Sequence, residues 1–300
     1  MPKITLLVGP PGSGKTSLAQ NIIYDFELDT VYVNQDSQGK EHLTRFHDAV
    51  TAGKDIVVDR LNFNKIQRDR YLIPAKNAGY QTKIVVLHES YETCFQRCMD
   101  RKDHETIKDE ANARSALNMF FSKYERVQDD EANEVVRVWP EGEKPLAVIC
   151  DLDGTLCNIE HRLHFVRGEG KKNWPGFFKG LVDDKPNQWC VDLVKAMSHQ
   201  YTIVYCSGRP DNWRKETVEW LNKYGVGVNG FENGGPNYDF HLYMRPQGDS
   251  RQDNITKEVI LDFELLTRFT PYFMIDDRKQ VVDMWRSRGF TVLHCAEGNF

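Results

Sequence analysis

Two sets of residues in this chain have types and spacings suited to phosphate chemistry. The first is GPPGSGKT, Gly9 to Thr16, which follows the apolar run ITLLV and opens the helical stretch KTSLAQNIIYDF. In a strand-to-helix turn, Gly9, Gly12 and Gly14 let backbone N–H groups approach phosphate oxygens, with Ser13 in the same loop. Lys15 would bridge the transferred phosphate and its neighbour, and Thr16 would hold Mg²⁺. The pattern predicts binding of ATP or GTP and leaves the acceptor open.

Carboxylates at the ends of the next apolar runs supply candidates for the acceptor side. In VNQDSQGK, Asp36 could take the proton from an attacking hydroxyl; the same residue could instead cap a helix. In IVVDRLNFN, Asp59 could act on the metal shell or hold the loops, with Asn62 positioning that segment. Arg97 and Arg101 lie four apart in CFQRCMDRKD, on one helical face. They could close over the β- and γ-phosphates and stabilise transition-state charge, although a solvated basic face has the same spacing.

The second set begins with VICDLDGTLC. Asp151 and Asp153 are two apart, so in an extended segment they point into the same space. Two adjacent carboxylates repel unless a cation or a proton intervenes. The arrangement suits Asp151 as a nucleophile on phosphorus, with Asp153 as acid for the leaving oxygen and then base for water. Gly154 permits a sharp exit, and Thr155 can hydrogen-bond a phosphate oxygen or the adjoining backbone. Downstream, YCSGRP brings Ser207, Gly208 and Arg209, QDNITKEV brings Lys257, and MIDDRKQ brings Asp276 and Asp277. Ser207 and Arg209 suit a phosphate oxyanion, and Lys257 could neutralise the transferring group. Asp276 and Asp277, with Asp151 and Asp153, are the expected Mg²⁺ ligands.

Elements in two series must position these residues. ITLLVG, TVYVN, DIVVD, TKIVVL and VVRVW read as buried strands separated by helical stretches, the pattern of a parallel sheet covered by helices. LAVICD, YTIVYCS, FHLYM, YFMIDD and FTVLHC repeat that grammar. PEGEKP, at 140 to 145, separates a first domain over 1–140 from a second over 145–300. DNWRKETVEWLNKYG is helical, and its Trp213, Thr217, Trp220, Leu221 and Tyr224 stripe reads as core. Residues 157 to 190 fit no single element and are expected to form an insertion that caps or walls a site.

A composition of 40% hydrophobic and 28% charged residues is that of a soluble globular protein. A net charge of −5 argues against a general basic coat for nucleic acid and leaves room for local basic grooves. The seven cysteines are scattered. Cys94 and Cys98 are four apart but lack a matching Cys/His pair, so buried free thiols and a reducing cytoplasm are expected. No apolar stretch approaches the roughly 18 residues of a membrane span. MPKITLLVGP runs into the glycine loop without a cleavage site and reads as a strand.

DLDGT, followed by SGR, Lys257 and the DD pair, resembles the haloacid-dehalogenase-type phosphatases. A phosphate-loop kinase ahead of such a domain resembles the bacteriophage polynucleotide kinase/3′-phosphatase family over nearly the whole chain, above all in IDDRKQVVDMWRSRGF. The resemblance implies an α/β fold, a P-loop kinase-like parallel sheet followed by a HAD-like Rossmannoid phosphatase domain. It implies transfer of phosphate from ATP to 5′-hydroxyl ends of DNA or RNA and removal of 3′-phosphates, with Mg²⁺, in preparation for a ligase. By position, Lys15 and Thr16 bind ATP and Mg²⁺, Asp36 is the base and Arg101 the lid residue. Asp151, Asp153, Arg209, Lys257, Asp276 and Asp277 serve the phosphatase, and Arg162, Arg245 and Arg251 lie near its substrate phosphate. The phage pattern has an arginine three residues after the catalytic aspartate, where this chain has Gly39; here NQDSQGK looks more like the animal repair kinases, with Lys40 or Arg45 as possible substitutes. Two other functions fit the motifs: a kinase–phosphatase for a small metabolite such as a nucleoside, and a nucleotide-dependent adaptor without turnover. Against the adaptor, each catalytic position holds a competent residue. DNA against RNA, and self-association, are left open.

Overall fold

The computed structural model describes residues 1–25, 30–101, 109–168, 170–227 and 240–298. Phe26, the end of the expected first helix, and Lys102 and Asp103, the end of CFQRCMDRKD, lie outside the described residues. The chain forms two compact units, Met1–Glu141 and Gly142–Phe300.

In the first unit the elements run β1 (Lys3–Val8), α1 (Lys15–Asp25), β2 (Val31–Asn34), α2 (Gln35–Gln38), α3 (Glu41–Thr51) and β3 (Ile56–Asp59). There follow α4 (Lys65–Asn77), β4 (Gln81–Leu87), α5 (Tyr91–Asp100), α6 (Glu110–Lys123) and β5 (Glu134–Val138). The five strands form a parallel sheet in the order β2-β3-β1-β4-β5. Ile4, Leu6, Leu7 and Val8 of β1 and Ile56, Val57 and Val58 of β3 are buried, as a sheet covered on both faces requires. The order reverses at β1, so its carboxyl end opens between β3 and β4, where open α/β sheets bind ligands.

The second unit repeats this plan. Its elements are β6 (Leu146–Cys150), β7 (Cys157–Asn158), α7 (Trp174–Lys179), β8 (Lys185–Pro186), α8 (Gln188–Met197), β9 (Thr202–Pro210) and α9 (Arg214–Lys223). They continue with β10 (Phe240–Arg245), α10 (Asp253–Ile260), α11 (Leu266–Arg268), β11 (Thr270–Asp276), α12 (Lys279–Ser287) and β12 (Val292–His294). A π-helical turn, Leu261–Leu265, joins α10 to α11. The sheet is parallel, in the order β10-β9-β6-β11-β12, with β6 at the reversal. β7 and β8 form a small antiparallel ribbon that brackets the irregular segment expected between 157 and 190. Thr217, Trp220 and Leu221 of α9 are buried, as the aromatic stripe predicted. All seven cysteines are free, six of them buried, Cys94 and Cys98 included.

Candidate functional site

At the end of β1 the glycine loop turns into α1 as the motif requires. Lys15 is buried, and its Nζ donates to the Pro10 carbonyl at 2.7 Å and reaches Ser13 Oγ at 3.5 Å. Burial pushes its pKa down, and the charges of Asp59 and Asp36 work against that shift while Arg101 adds to it. These residues, from three separate elements and a helix end, therefore share one electrostatic site.

Asp59 organises it. The register places Asp59 level with Leu7 on one side and Asn34 on the other. Its Oδ2 accepts from Thr16 Oγ1 at 2.8 Å, Tyr32 OH at 2.8 Å and Asn34 Nδ2 at 3.2 Å. A carboxylate linked to the loop threonine fits the metal-shell reading of Asp59. Tyr32 carried no recognisable signal in the sequence.

Asp36 stands in the first turn of α2 with its side chain exposed. It is not the cap. Asn34 holds that position, its Oδ1 accepting from Ser37 N at 3.0 Å, which leaves the Asp36 carboxylate to other work. Gly39 ends α2 with φ 55° and ψ −130°, a conformation that L side chains rarely adopt. The backbone itself therefore disfavours the arginine of the phage pattern here. Arg45 donates through Nε to the Tyr32 carbonyl at 3.0 Å.

The arginine pair expected on one helical face is divided by the end of α5. Arg97 lies inside the helix, paired with Glu89 at 3.0 Å, and its Nη1 donates to the Gly12 carbonyl at 3.4 Å. Arg101 follows the last turn in an extended conformation and is exposed. Arg97 thus braces the loop, and Arg101 reaches out beyond the helix. Asn62 is buried with φ 47°, and its Nδ2 donates to the Leu7 carbonyl at 2.8 Å. With Gly9 N donating to Leu61 O at 3.3 Å, this segment is stitched to the phosphate loop.

In the second unit, strand register assembles the site. Cys150 is level with Ile275 of β11 and Tyr205 of β9, so Asp151, the first residue beyond β6, emerges beside Asp276, the last residue of β11. Carboxylate oxygens of Asp151, Asp276 and Asp277 all lie within 4.8 Å of one another, and all three residues are buried. Lys257, from α10, donates to Asp151 Oδ1 at 2.6 Å and to Asp276 Oδ2 at 2.9 Å. Burial opposes its charge, but Asp151, Asp253 and Asp276 outweigh burial and raise its pKa. Burial drives Asp151 up, beyond what Lys257 offsets, and Asp276 and Asp277 add to the rise. Asp277 is pushed up to about 6, by burial and then by Asp276. Three buried carboxylates with their oxygens this close together fit a hard divalent cation such as Mg²⁺.

Asp153 is outside this cluster, contrary to its expected place among the metal ligands. Its Oδ1 accepts from Arg162 Nη2 at 2.6 Å and from Arg209 Nε at 2.8 Å. Burial alone would raise its pKa, but these two guanidiniums hold it well below the usual carboxylate range. Asp184 completes the group: it accepts from Arg162 Nε and Nη2, each at 2.6 Å, and from Arg209 Nη2 at 3.0 Å. Asp184 comes from the segment that fitted no element, and its spacing to either arginine has no local period. Nothing short-range could have found it.

The remaining candidates are placed as follows. Thr155 is buried and donates to Asp277 Oδ1 at 3.4 Å. Ser207 is buried and accepts from Arg209 N at 3.2 Å. Gly208 lines a cavity of about 310 Å³ together with Asp151, Asp153, Arg245 and Arg251. Arg162, fully buried, holds Asp153 and Asp184. Arg245 is tied to Asp253 at 3.2 Å and to the Gly208 carbonyl at 2.9 Å, and Arg251 to Asp249 at 2.7 Å. Both arginines border the cavity from paired positions. Gly154 has φ 91°, and a Cβ there would overlap the Asp277 carboxylate. Only glycine fits that turn.

Comparison with known proteins finds relatives of both units. A protein of Autographa californica nuclear polyhedrosis virus described as a bifunctional polynucleotide kinase/RNA ligase is 24% identical over 316 residues, 95% of this chain. The chain spans 41% of that relative's length. A solved chain of a Pnkp1/Rnl/Hen1 complex is 24% identical, covers 100% of this chain and 98% of its own, and superposes with a TM-score of 0.41. Kti12 of Chaetomium thermophilum with ADP-AlF3 is 19% identical, covering 45% of this chain and 88% of its own, with a TM-score of 0.37. Residues 4–126 match the AAA domain family. Residues 145–300, over half of the sequence, match the family described as the polynucleotide kinase PNKP phosphatase domain, and the chain belongs to that family.

Proposed function

We propose that this protein heals nucleic-acid ends, transferring the γ-phosphate of ATP to 5′-hydroxyls and removing 3′-phosphates from DNA or RNA strands. The observation that carries the reading is the second site: Asp151 held by Lys257 beside Asp276 and Asp277, over a cavity that Asp153 also lines. The name of the viral relative couples a polynucleotide kinase to an RNA ligase, and a ligase is the natural user of the 5′-phosphate and 3′-hydroxyl made here.

In the kinase unit, ATP phosphates would lie against the loop N–H groups and Lys15, and Thr16 and Asp59 would hold Mg²⁺. Asp36, exposed and uncommitted to the cap, takes the proton from the attacking 5′-hydroxyl. Arg101 supplies charge over the phosphates. In the phosphatase unit, Asp151, Asp276 and Asp277 would hold Mg²⁺, which supplies neutralising charge for the phosphate. An Asp151 oxygen bonds to phosphorus as the bond from phosphorus to the 3′-oxygen breaks, and Asp153 gives that oxygen its proton. Water then attacks the aspartyl-phosphate, returns a proton to Asp153 and releases inorganic phosphate. The free protein holds Asp153 as an anion between Arg162 and Arg209. The charge of a dianionic phosphate in the cavity that Asp153 lines raises the proton affinity of Asp153, which takes up a proton from water before it acts as the acid. Lys257 balances charge on the phosphoryl group and orients Asp151.

The test compares one oligonucleotide bearing a 5′-hydroxyl and a 3′-phosphate with free nucleosides and p-nitrophenyl phosphate. Higher kcat/KM on both ends of the strand is expected. Phosphorylation of the nucleoside as efficient as that of the strand end would overturn the reading in favour of a small-metabolite kinase.

A further inference from the structure

The cavity above Asp151 is walled by aromatic rings. Trp174, Phe177 and Phe178, all from α7, line it together with Asp151, Asp153 and Arg251. Phe177 is buried and supports the fold, with the Arg162 guanidinium carbon 4.1 Å from its ring centroid. Trp174 is less enclosed, and Lys172 Nζ lies over its ring, 5.4 Å from the centroid. It meets Phe177 edge to face at 5.8 Å and Phe178 in a stacked pair at 5.9 Å, yet 39% of it stays exposed. Trp189 and Tyr272 are exposed too, but neither lines this cavity.

Phosphate hydrolysis alone gives no use for such a wall. Carboxylates, a lysine and arginines suffice for any phosphomonoester, and open indole surface beside them loses apolar burial. The wall suits a substrate with a flat ring joined to its phosphate. Base-on-aromatic stacking tolerates every base, because each has a π-face. Basic residues complement such a substrate: Arg245, Arg251 and Arg278 border the same cavity.

We infer that Trp174, backed by Phe178, is a stacking platform for the base of the terminal nucleoside whose 3′-phosphate is removed. The inference rests on the proposed 3′-phosphatase activity and makes Trp174 a specificity-determining residue of it. The platform favours ends with an intact base over ends with a bare sugar, without choosing among bases.

The experiment uses the full chain with two 3′-phosphorylated oligonucleotides, one ending in a normal nucleoside and one in a tetrahydrofuran abasic residue. The natural protein should favour the base-bearing end in kcat/KM by about five- to a hundredfold. Trp174→Ala should collapse that ratio towards unity, and Trp174→Phe should keep most of it. Equal losses on both substrates in Trp174→Ala would make Trp174 a packing residue and overturn the inference, as would an unchanged ratio. A natural protein active on β-glycerophosphate but on neither strand would remove the proposed phosphatase function as well. Activity on both strands with no preference would remove the platform alone.

Discussion

Replacing Asp184 by alanine takes one of two carboxylates from a buried group that also holds Asp153, Arg162 and Arg209. Asp184 is 1% exposed and accepts two hydrogen bonds from Arg162 and one from Arg209, with His161 Nε2 at 2.9 Å from its Oδ1. In the variant both guanidiniums stay buried, and of their two carboxylate partners only Asp153 is left, beside the longer contacts to the Phe177 carbonyl and Thr217 Oγ1. Breaking a buried ion pair by removing one partner costs about 3–5 kcal/mol, and the surviving Asp153 contacts argue for the lower end. For a unit of this size, about 3 kcal/mol lowers the melting temperature by roughly 6–12 °C. The catalytic effect runs in the same direction. With Asp184 gone, both arginines turn to Asp153 and hold it more firmly as the anion, so the acid step suffers. General acid–base assistance is worth about 10²–10⁴-fold, and a loss of at least about tenfold on a 3′-phosphorylated oligonucleotide is expected. The assay pairs thermal unfolding by circular dichroism with phosphatase kinetics, and kinase turnover of the same preparation serves as the control. Asp184→Asn keeps the shape and should melt nearer the natural protein while still losing turnover. An Asp184→Ala protein with natural melting and natural phosphatase kinetics would refute this reasoning.

Asp36→Asn should lower kinase turnover by about 10²–10⁴-fold while the KM for ATP stays near that of the natural protein, because the amide cannot take the proton. Natural turnover would remove the base role, and the helix-cap explanation is already taken by Asn34. Gly154→Ala forces a strained φ of 91° and pushes a methyl group into Asp277, a conformational cost of about 1–3 kcal/mol before any clash. It should weaken the Mg²⁺ dependence and rate of 3′-phosphate release, read by metal titration, and leave 5′-phosphorylation unaffected. An unchanged metal titration would show that Asp277 is not a ligand.

The central strands could be read from the sequence because they are continuous apolar runs, whereas β5, expected to be buried, lies at the sheet edge with no buried residue, and β10 alternates buried with half-buried positions. ITLLVG before the glycines and LAVICD before Asp153 fixed where both phosphate sites must open, and register then brought Asp276 beside Asp151. Residues whose roles depend on long-range partners could not be read this way. Asp184 meets Arg162 and Arg209 only after β7, α7 and β8 have folded back over the sheet. Asn34, one residue before α2 and two before Asp36, takes the cap because its short amide reaches Ser37 N from an extended backbone. Arg97 and Arg101 share a helical face on paper, but α5 stops between them. Asp153 was expected beside Asp276 and Asp277 because spacing reports where a carboxylate emerges and says nothing of which cations reach it.

Two independent phosphate centres in one chain are best tested on a single oligonucleotide with a 5′-hydroxyl and a 3′-phosphate, scored for both ends in the same reaction. The natural protein should yield a 5′-phosphate and a 3′-hydroxyl. Lys15→Ala should stop only the 5′ reaction and Asp151→Asn only the 3′ reaction, since no residue is common to the two sites. Loss of both reactions from either substitution, in a protein that remains folded, would contradict the two-centre structure.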